Sequence, residues 1–159
     1  MRKLLLLALA LTIAMMLVGC RRGPDPSRYD DREPLPAWEI TMRSTGGFDL
    51  AEMRFVELTI SYSGHGEITH VRDSENDLGH MRHNENSLPS WQGYVLWDVL
   101  LDNGIFELPS DESMTTSNQT LYEIEARLGS DSNRFKIYAP NYNRDTRYNR
   151  VVKAIEELY

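Results

Sequence analysis

The sequence predicts an α+β fold: an antiparallel sheet of about five strands, in the order βββαββα, with two helices packed on one face. Apolar and polar residues alternate in several short segments, short turns join neighbouring segments, and two longer segments repeat apolar residues at helical spacing. Strands joined by short turns pair antiparallel, and the helices then cover the apolar face of the sheet. The 159 residues favour one domain rather than several.

Three strands are predicted before the first helix. Trp38, Ile40 and Met42 alternate with polar residues, and the same alternation runs through residues 56–62. Glycines in the turn at 63–66 allow a tight hairpin, so residues 67–72 return as the third strand. Residues 73–89 contain neither Ile nor Val and are predicted to form a loop.

The second half is predicted to form a helix, a hairpin and a closing helix. The first helix spans 90–103, with Ser90 as its N-cap and Gly104 as its stop. Residues 122–128 and 135–139 alternate as paired strands around a polar turn. The last helix begins at Asp145 or Thr146 and repeats apolar residues as far as position 158.

Two adjacent glycines, Gly46 and Gly47, follow the first strand. Such a pair predicts that at least one residue has a positive φ, where a side chain is penalised. We therefore expect valine at the left-handed position to cost more stability than valine at Gly93, which lies inside the first helix.

The amino terminus has the pattern of a secretory signal, predicted to span residues 1–19. A basic Met1-Arg2-Lys3 precedes 15 residues without a charge, and then come Gly19 and Cys20. Because about 20 apolar residues are needed to span a bilayer, a membrane anchor helix is the weaker interpretation. The segment Leu17-Val18-Gly19-Cys20 resembles the lipobox of bacterial lipoproteins. That resemblance implies cleavage between Gly19 and Cys20 and acylation of Cys20.

The predicted cleavage has consequences for partners and chemistry. Removing Arg2 and Lys3 leaves 15 basic and 24 acidic residues, a net charge of −9 that argues against nucleic acid as a partner. Cys20 is the only cysteine, so its acylation leaves no thiol for a disulfide or a nucleophile. Residues 20–37 are rich in proline and charge and are predicted to form an extended tether before a single domain at 38–159.

The predicted domain resembles a known family. Residues 40–48 read ITMRSTGGF, similar to the RSGGF start of emfourin-like domains, which are small bacterial inhibitors of thermolysin-like metalloproteases. The segment GIFELP at 104–109, the paired strands and the closing helix follow the same plan over residues 38–159. The resemblance implies a protein partner such as a metalloprotease. The candidate partner-binding loop comprises Ser44, Thr45, Gly46, Gly47 and Phe48, and the polar segment 73–89 is an alternative.

The sequence contains no motif of a hydrolase, kinase or dinucleotide-binding enzyme, so we expect neither an enzyme nor a cofactor. His80, His83 and Glu85 have spacing that metal ligands can adopt, but solvated side chains are the stronger interpretation. Asp73, Glu75 and Asp77 resemble a calcium loop whose glycine is one place late and whose twelfth position is Asn84 rather than glutamate. No metal is therefore expected.

Charge is distributed unevenly along the domain. Residues 38–133 carry 5 basic and 17 acidic side chains, whereas residues 134–159 carry 6 basic and 3 acidic ones. A basic patch with interleaved tyrosines can bind an anionic glycan or lipid, although a solvated helix face is the simpler interpretation. The candidate patch comprises Tyr142, Arg144, Arg147, Tyr148 and Arg150.

These observations predict a non-enzymatic binding module, held in the bacterial envelope by a lipid at Cys20. One hypothesis is a protease-inhibitor-like module with an envelope protein as its partner. The alternative is a ligand-binding protein that uses the basic, tyrosine-containing segment for an anionic glycan or lipid. Arg21 rather than aspartate follows the cysteine, which resembles lipoproteins destined for the outer membrane and facing the periplasm, if the cell has an outer membrane.

Overall fold

The computed structural model describes residues 25–46, 53–64, 68–113 and 119–158. Six strands and two helices form the domain: β1 (Trp38–Thr45), β2 (Met53–Tyr62), β3 (Ile68–Asn76), β4 (Met81–Leu88), α1 (Ser90–Asp102), β5 (Leu121–Leu128), β6 (Asp131–Tyr138) and α2 (Thr146–Glu156). Short 3-10 turns lie at Pro26–Tyr29 and Pro140–Tyr142.

The strands form one sheet in the order β4-β3-β2-β1-β5-β6, and every neighbouring pair is antiparallel. This confirms the predicted α+β class with an antiparallel sheet. β1 is a central strand because it pairs with β2 on one side and with the distant β5 on the other. The β5–β6 hairpin therefore extends the sheet on the far side of β1 from the first hairpins.

Both helices cover one face of the sheet. The rings of Trp38 in β1 and Trp97 in α1 pack edge to face, with centroids 5.7 Å apart. The rings of Phe135 in β6 and Tyr148 in α2 have centroids 5.9 Å apart. Alternate residues of the four strands β1, β2, β5 and β6 are buried beneath them, because successive strand side chains point to opposite faces. The other face is partly charged and bears ion pairs such as Lys136 to Glu123 at 2.9 Å.

The prediction of a loop at 73–89 is wrong, because this segment contains the end of β3 and the whole of β4. The sheet has six strands rather than about five, and the order is ββββαββα. β4 is an edge strand exposed on both faces, so nothing imposes the alternation from which strands are predicted. The Asn76 side chain closes the hairpin by accepting hydrogen bonds from the backbone N–H groups of Leu78 and His80.

The helix ends agree in part with the prediction. Ser90 is the first residue of α1 rather than its N-cap, which is Pro89. Asn103 and Gly104 end α1 as predicted, with Gly104 at a φ of 65°. Asp145 caps α2 by accepting a hydrogen bond from the Arg147 backbone N–H.

The part of the predicted tether that the structure describes lies against α1 rather than extending away from the domain. Tyr29 stacks on Tyr94 with ring centroids 5.8 Å apart, and Arg32 forms an ion pair with Asp98 at 2.8 Å. The aliphatic side chain of Leu35 packs at the edge of the core. Cation–π contacts of Arg32 with both rings add to this docking, which the charge and proline content of the segment did not indicate.

The structure confirms the predicted backbone conformation at Gly46 and reveals close contacts at Gly93 that the sequence did not indicate. Gly46 has a φ of 73°, which confirms the left-handed backbone, and Gly47 lies outside the described residues. Gly93 is buried, and a Cβ there would lie 2.7 Å from Ile68 Cδ1 and 2.8 Å from Trp38 Cζ2. This close approach between α1 and the sheet reverses the expected ranking, so valine is now expected to cost more at Gly93 than at Gly46.

We expect Gly93→Val to lower the free energy of unfolding by about 3 kcal/mol, since it overpacks the core. Gly46→Val is expected to lower it by about 1–2 kcal/mol, the penalty of a left-handed side chain. Urea denaturation of both variants measures the difference. A smaller loss for Gly93→Val than for Gly46→Val would contradict the close packing of α1.

Candidate functional site

A groove of about 550 Å³ lies on the helix-bearing face of the sheet, over β3 and β4. Its lining includes His70 and Arg72 from β3, Asn84 and Asn86 from β4, and Leu158 just after α2. The polar strand pair supplies one side, and the end of α2 supplies the other.

Strand register brings the polar side chains together. Arg72 pairs with Asn84, and His70 pairs with Asn86, so these four residues form two adjacent rows on one face. The next row pairs Ile68 with Leu88, which gives the groove an apolar end. The sequence signal for this site is that residues 70, 72, 84 and 86 are all at even positions. Alternate residues of a strand lie on the same face, so this pattern indicates a shared face only when residues 81–88 are recognised as a strand.

The lining of the groove can bind a polar ligand that is neutral or anionic. The guanidinium of Arg72 donates hydrogen bonds, and the two carboxamides both donate and accept them. No carboxylate lies among the described lining residues, although the chain as a whole has a net charge of −7. The side chains of Leu88 and Leu158 add an apolar surface beside these groups.

His70 is the most deeply buried polar group of the groove, with 3% of its surface exposed. Burial lowers the pKa of His70 below its usual value, and the positive charge of Arg72 lowers it further. The imidazole is therefore neutral at pH 7, where it can both donate and accept a hydrogen bond.

The candidate partner-binding loop is only partly described. Ser44 and Thr45 belong to β1, where the Ser44 hydroxyl donates to the Val56 carbonyl at 3.2 Å. Gly46 leaves the strand in a left-handed conformation. Gly47 and Phe48 lie outside the described residues.

The structure divides the candidate basic patch. Tyr148 is buried with 3% of its surface exposed, and its hydroxyl donates to the Pro109 carbonyl at 2.7 Å, so it belongs to the core. Helical spacing places it on the same buried face as Val151, Val152 and Ile155. Arg147 is bound to the Asp145 carboxylate at 2.6 Å.

The remaining three members of the patch, Tyr142, Arg144 and Arg150, are exposed.

The two candidate metal segments lie around the β3–β4 hairpin. His83 Nδ1 is 2.7 Å from Asp73 Oδ1, and its Nε2 is 3.9 Å from Glu85 Oε2. Asp77 lies in the hairpin turn, and His80 is exposed beyond it. Within the described ranges, no group of three or more His, Cys, Asp or Glu side chains is placed to hold a metal ion.

Gly19 and Cys20, the predicted cleavage and lipidation site, lie outside the described residues. Among the helices that the structure describes, none is both long and apolar enough to cross a bilayer.

A scan against protein-family models finds no match, and no curated protein is significantly similar to the chain.

The lowered pKa of His70 predicts a specific pH dependence of stability. The unfolded chain takes up a proton near pH 6.5, whereas the folded chain does so only at lower pH. Stability is therefore lost as the pH falls from about 6.5 towards the folded pKa. We expect His70→Gln to lose less free energy of unfolding between about pH 7 and about pH 5 than the unaltered chain does.

The matched control is His80→Gln, because His80 is exposed. This variant should keep the pH profile of the unaltered chain in urea denaturation. Parallel profiles for His70→Gln and the unaltered chain would contradict the role assigned to His70.

Proposed function

We propose that this chain is a bacterial envelope lipoprotein, anchored by a lipid at Cys20, that acts as a non-enzymatic binding module for an acidic sugar chain. The observation that carries the ligand class is the groove over β3 and β4, which brings the Arg72 guanidinium together with the carboxamides of Asn84 and Asn86. The Arg72 guanidinium can bind a sugar carboxylate, and the Asn84 and Asn86 carboxamides can form hydrogen bonds with sugar hydroxyls. Leu88 and Leu158 can pack against the apolar faces of sugar rings.

The anchor is supported by the order of features at the amino terminus. A basic start, a charge-free run, a small residue and the only cysteine follow one another in the first 20 residues. Two or three acyl chains bind a bilayer stably, whereas one does so only marginally. In a cell that has an outer membrane, Arg21 after the cysteine favours that membrane, with the domain facing the periplasm.

A second candidate function is inhibition of an envelope metalloprotease. The left-handed Gly46 favours it, because the chain leaves β1 through the glycine of the segment that resembles emfourin-like domains. In that case the loop at 44–48 contacts the protease, and the groove over β3 and β4 has no part in binding it.

The anchor predicts that Cys20→Ser abolishes lipid labelling and leaves an uncleaved or mislocalised precursor, because the acylated thiol is lost. Metabolic labelling with palmitate, followed by fractionation of membranes, measures both effects. Unchanged label on the Cys20→Ser chain would overturn the lipoprotein assignment.

The groove predicts that Asn86→Asp weakens binding of an acidic sugar chain by about tenfold, because it adds a carboxylate of nearly the same shape beside the ligand. The probe is a trisaccharide of galacturonic acid, and calorimetry on the full chain in detergent measures its dissociation constant. We expect a neutral trisaccharide of glucose to bind more weakly than the acidic one.

The matched control is Ser132→Asp, which adds the same charge on β6, at the opposite edge of the sheet. It should leave the dissociation constant unchanged. Equal losses in both variants would assign the effect to overall charge. No binding of either trisaccharide would reject the acidic sugar, and inhibition of a thermolysin-like protease would then support the second candidate.

A further inference from the structure

We infer that two copies of this chain associate through their β4 strands, forming one antiparallel sheet across a two-fold axis at Asn84. Among the residues that the structure describes, no strand pairs with the outer edge of β4. An exposed strand edge presents unpaired N–H and C=O groups, which another strand can bind. This inference does not depend on whether the groove binds a sugar.

The opposite edge of the sheet is partly covered. Asp111 bridges to β6, donating its backbone N–H to the Lys136 carbonyl at 2.8 Å and accepting from the Tyr138 N–H at 3.4 Å. The Ser110 hydroxyl accepts a further hydrogen bond from the Lys136 N–H. The two edges therefore differ, and β4 is the one available for strand pairing.

The β3–β4 hairpin also carries two of the large apolar side chains that the described structure leaves exposed. Leu78 in the turn is 80% exposed, and Met81 at the start of β4 is 60% exposed. A second β4 strand would lie beside Met81, because antiparallel pairing about Asn84 brings Met81 beside Ser87 of the second copy.

The sequence of β4 is complementary to itself about Asn84. In an antiparallel pair centred there, His83 faces Glu85 of the second copy, and Arg82 faces Asn86. Moving the centre to residue 85 places Glu85 opposite Glu85, and moving it to residue 83 places His83 opposite His83. The register centred on residue 85 is disfavoured because like charges directly opposite are destabilising, whereas the register centred on Asn84 places each Glu85 carboxylate opposite an imidazole.

The charged groups around this contact are compatible with pairing. His83 already lies 2.7 Å from Asp73 of the neighbouring strand and 3.9 Å from its own Glu85. A third carboxylate, from Glu85 of the other copy, would lie on the same face of the extended sheet. Arg82 of the second copy would then stand opposite Asn86, at the rim of the groove.

Disulfide formation between single cysteines tests the register in the full chain in membranes. We expect Asn84→Cys to give a covalent dimer under mild oxidation, because the two copies of residue 84 face each other at the axis. Asn86→Cys is the matched control: its two copies are offset by four residues, about 13 Å, beyond the reach of a disulfide. Asn86→Cys co-expressed with Arg82→Cys should instead link the two different chains.

The unaltered chain shows the background from Cys20, the only native cysteine. No covalent dimer from Asn84→Cys, or an equal yield from Asn84→Cys and Asn86→Cys, would overturn the inference. A dominant yield from His83→Cys or Glu85→Cys would overturn the proposed register.

Sedimentation equilibrium in detergent is the second measurement. The mass of the unaltered chain should double with concentration, and Glu85→Lys should dimerise more weakly because the carboxylate opposite His83 is lost. Asp131→Lys makes the same charge change at the opposite edge of the sheet and should dimerise like the unaltered chain. A monomer at all concentrations of the unaltered chain would contradict the association.

Discussion

Two helices are too narrow to cover the whole face of a six-stranded sheet. Neighbouring strands lie about 4.8 Å apart, so six strands occupy a width of about 29 Å. A helix with its side chains is about 10 Å wide, so two helices cover about 20 Å. The uncovered margin falls at β3 and β4, where Arg72, Asn84 and Asn86 replace the apolar residues of the inner strands. The groove follows from this mismatch in width.

The close approach of α1 determines where the covered region ends. Gly93 lets the helix backbone come down onto Trp38 and Ile68, so the first residue of β3 is buried in the core. Two residues further along the strand, His70 lies between the core and the groove. Burial there keeps the imidazole neutral, and a neutral group costs less to remove from water than a charged one. The boundary between core and groove therefore passes along β3.

An element could be predicted from the sequence where one of its faces is buried, because burial of one face imposes a periodic pattern of apolar residues. β1, β2, β5 and β6 each bury one face, so their alternation predicted strands, whereas β4 buries neither face and was predicted to be a loop. The groove was missed for the same reason, since its rows exist only when β3 and β4 are paired. The arginines that flank Tyr148 favoured its assignment to a surface patch, although helical spacing directs its ring into the core. Gly93 gave no sequence signal, because close packing depends on residues distant in the chain.

A single strand can serve both the groove and the pairing of two copies because these uses engage different groups. Asn84 and Asn86 direct side chains to the groove, whereas strand pairing uses backbone N–H and C=O groups at the edge. A two-fold axis perpendicular to the sheet keeps the helix-bearing faces of both copies on the same side. The segment from Pro26 to Leu35, docked through the contacts of Tyr29 and Arg32 with α1, then lies on that side in each copy.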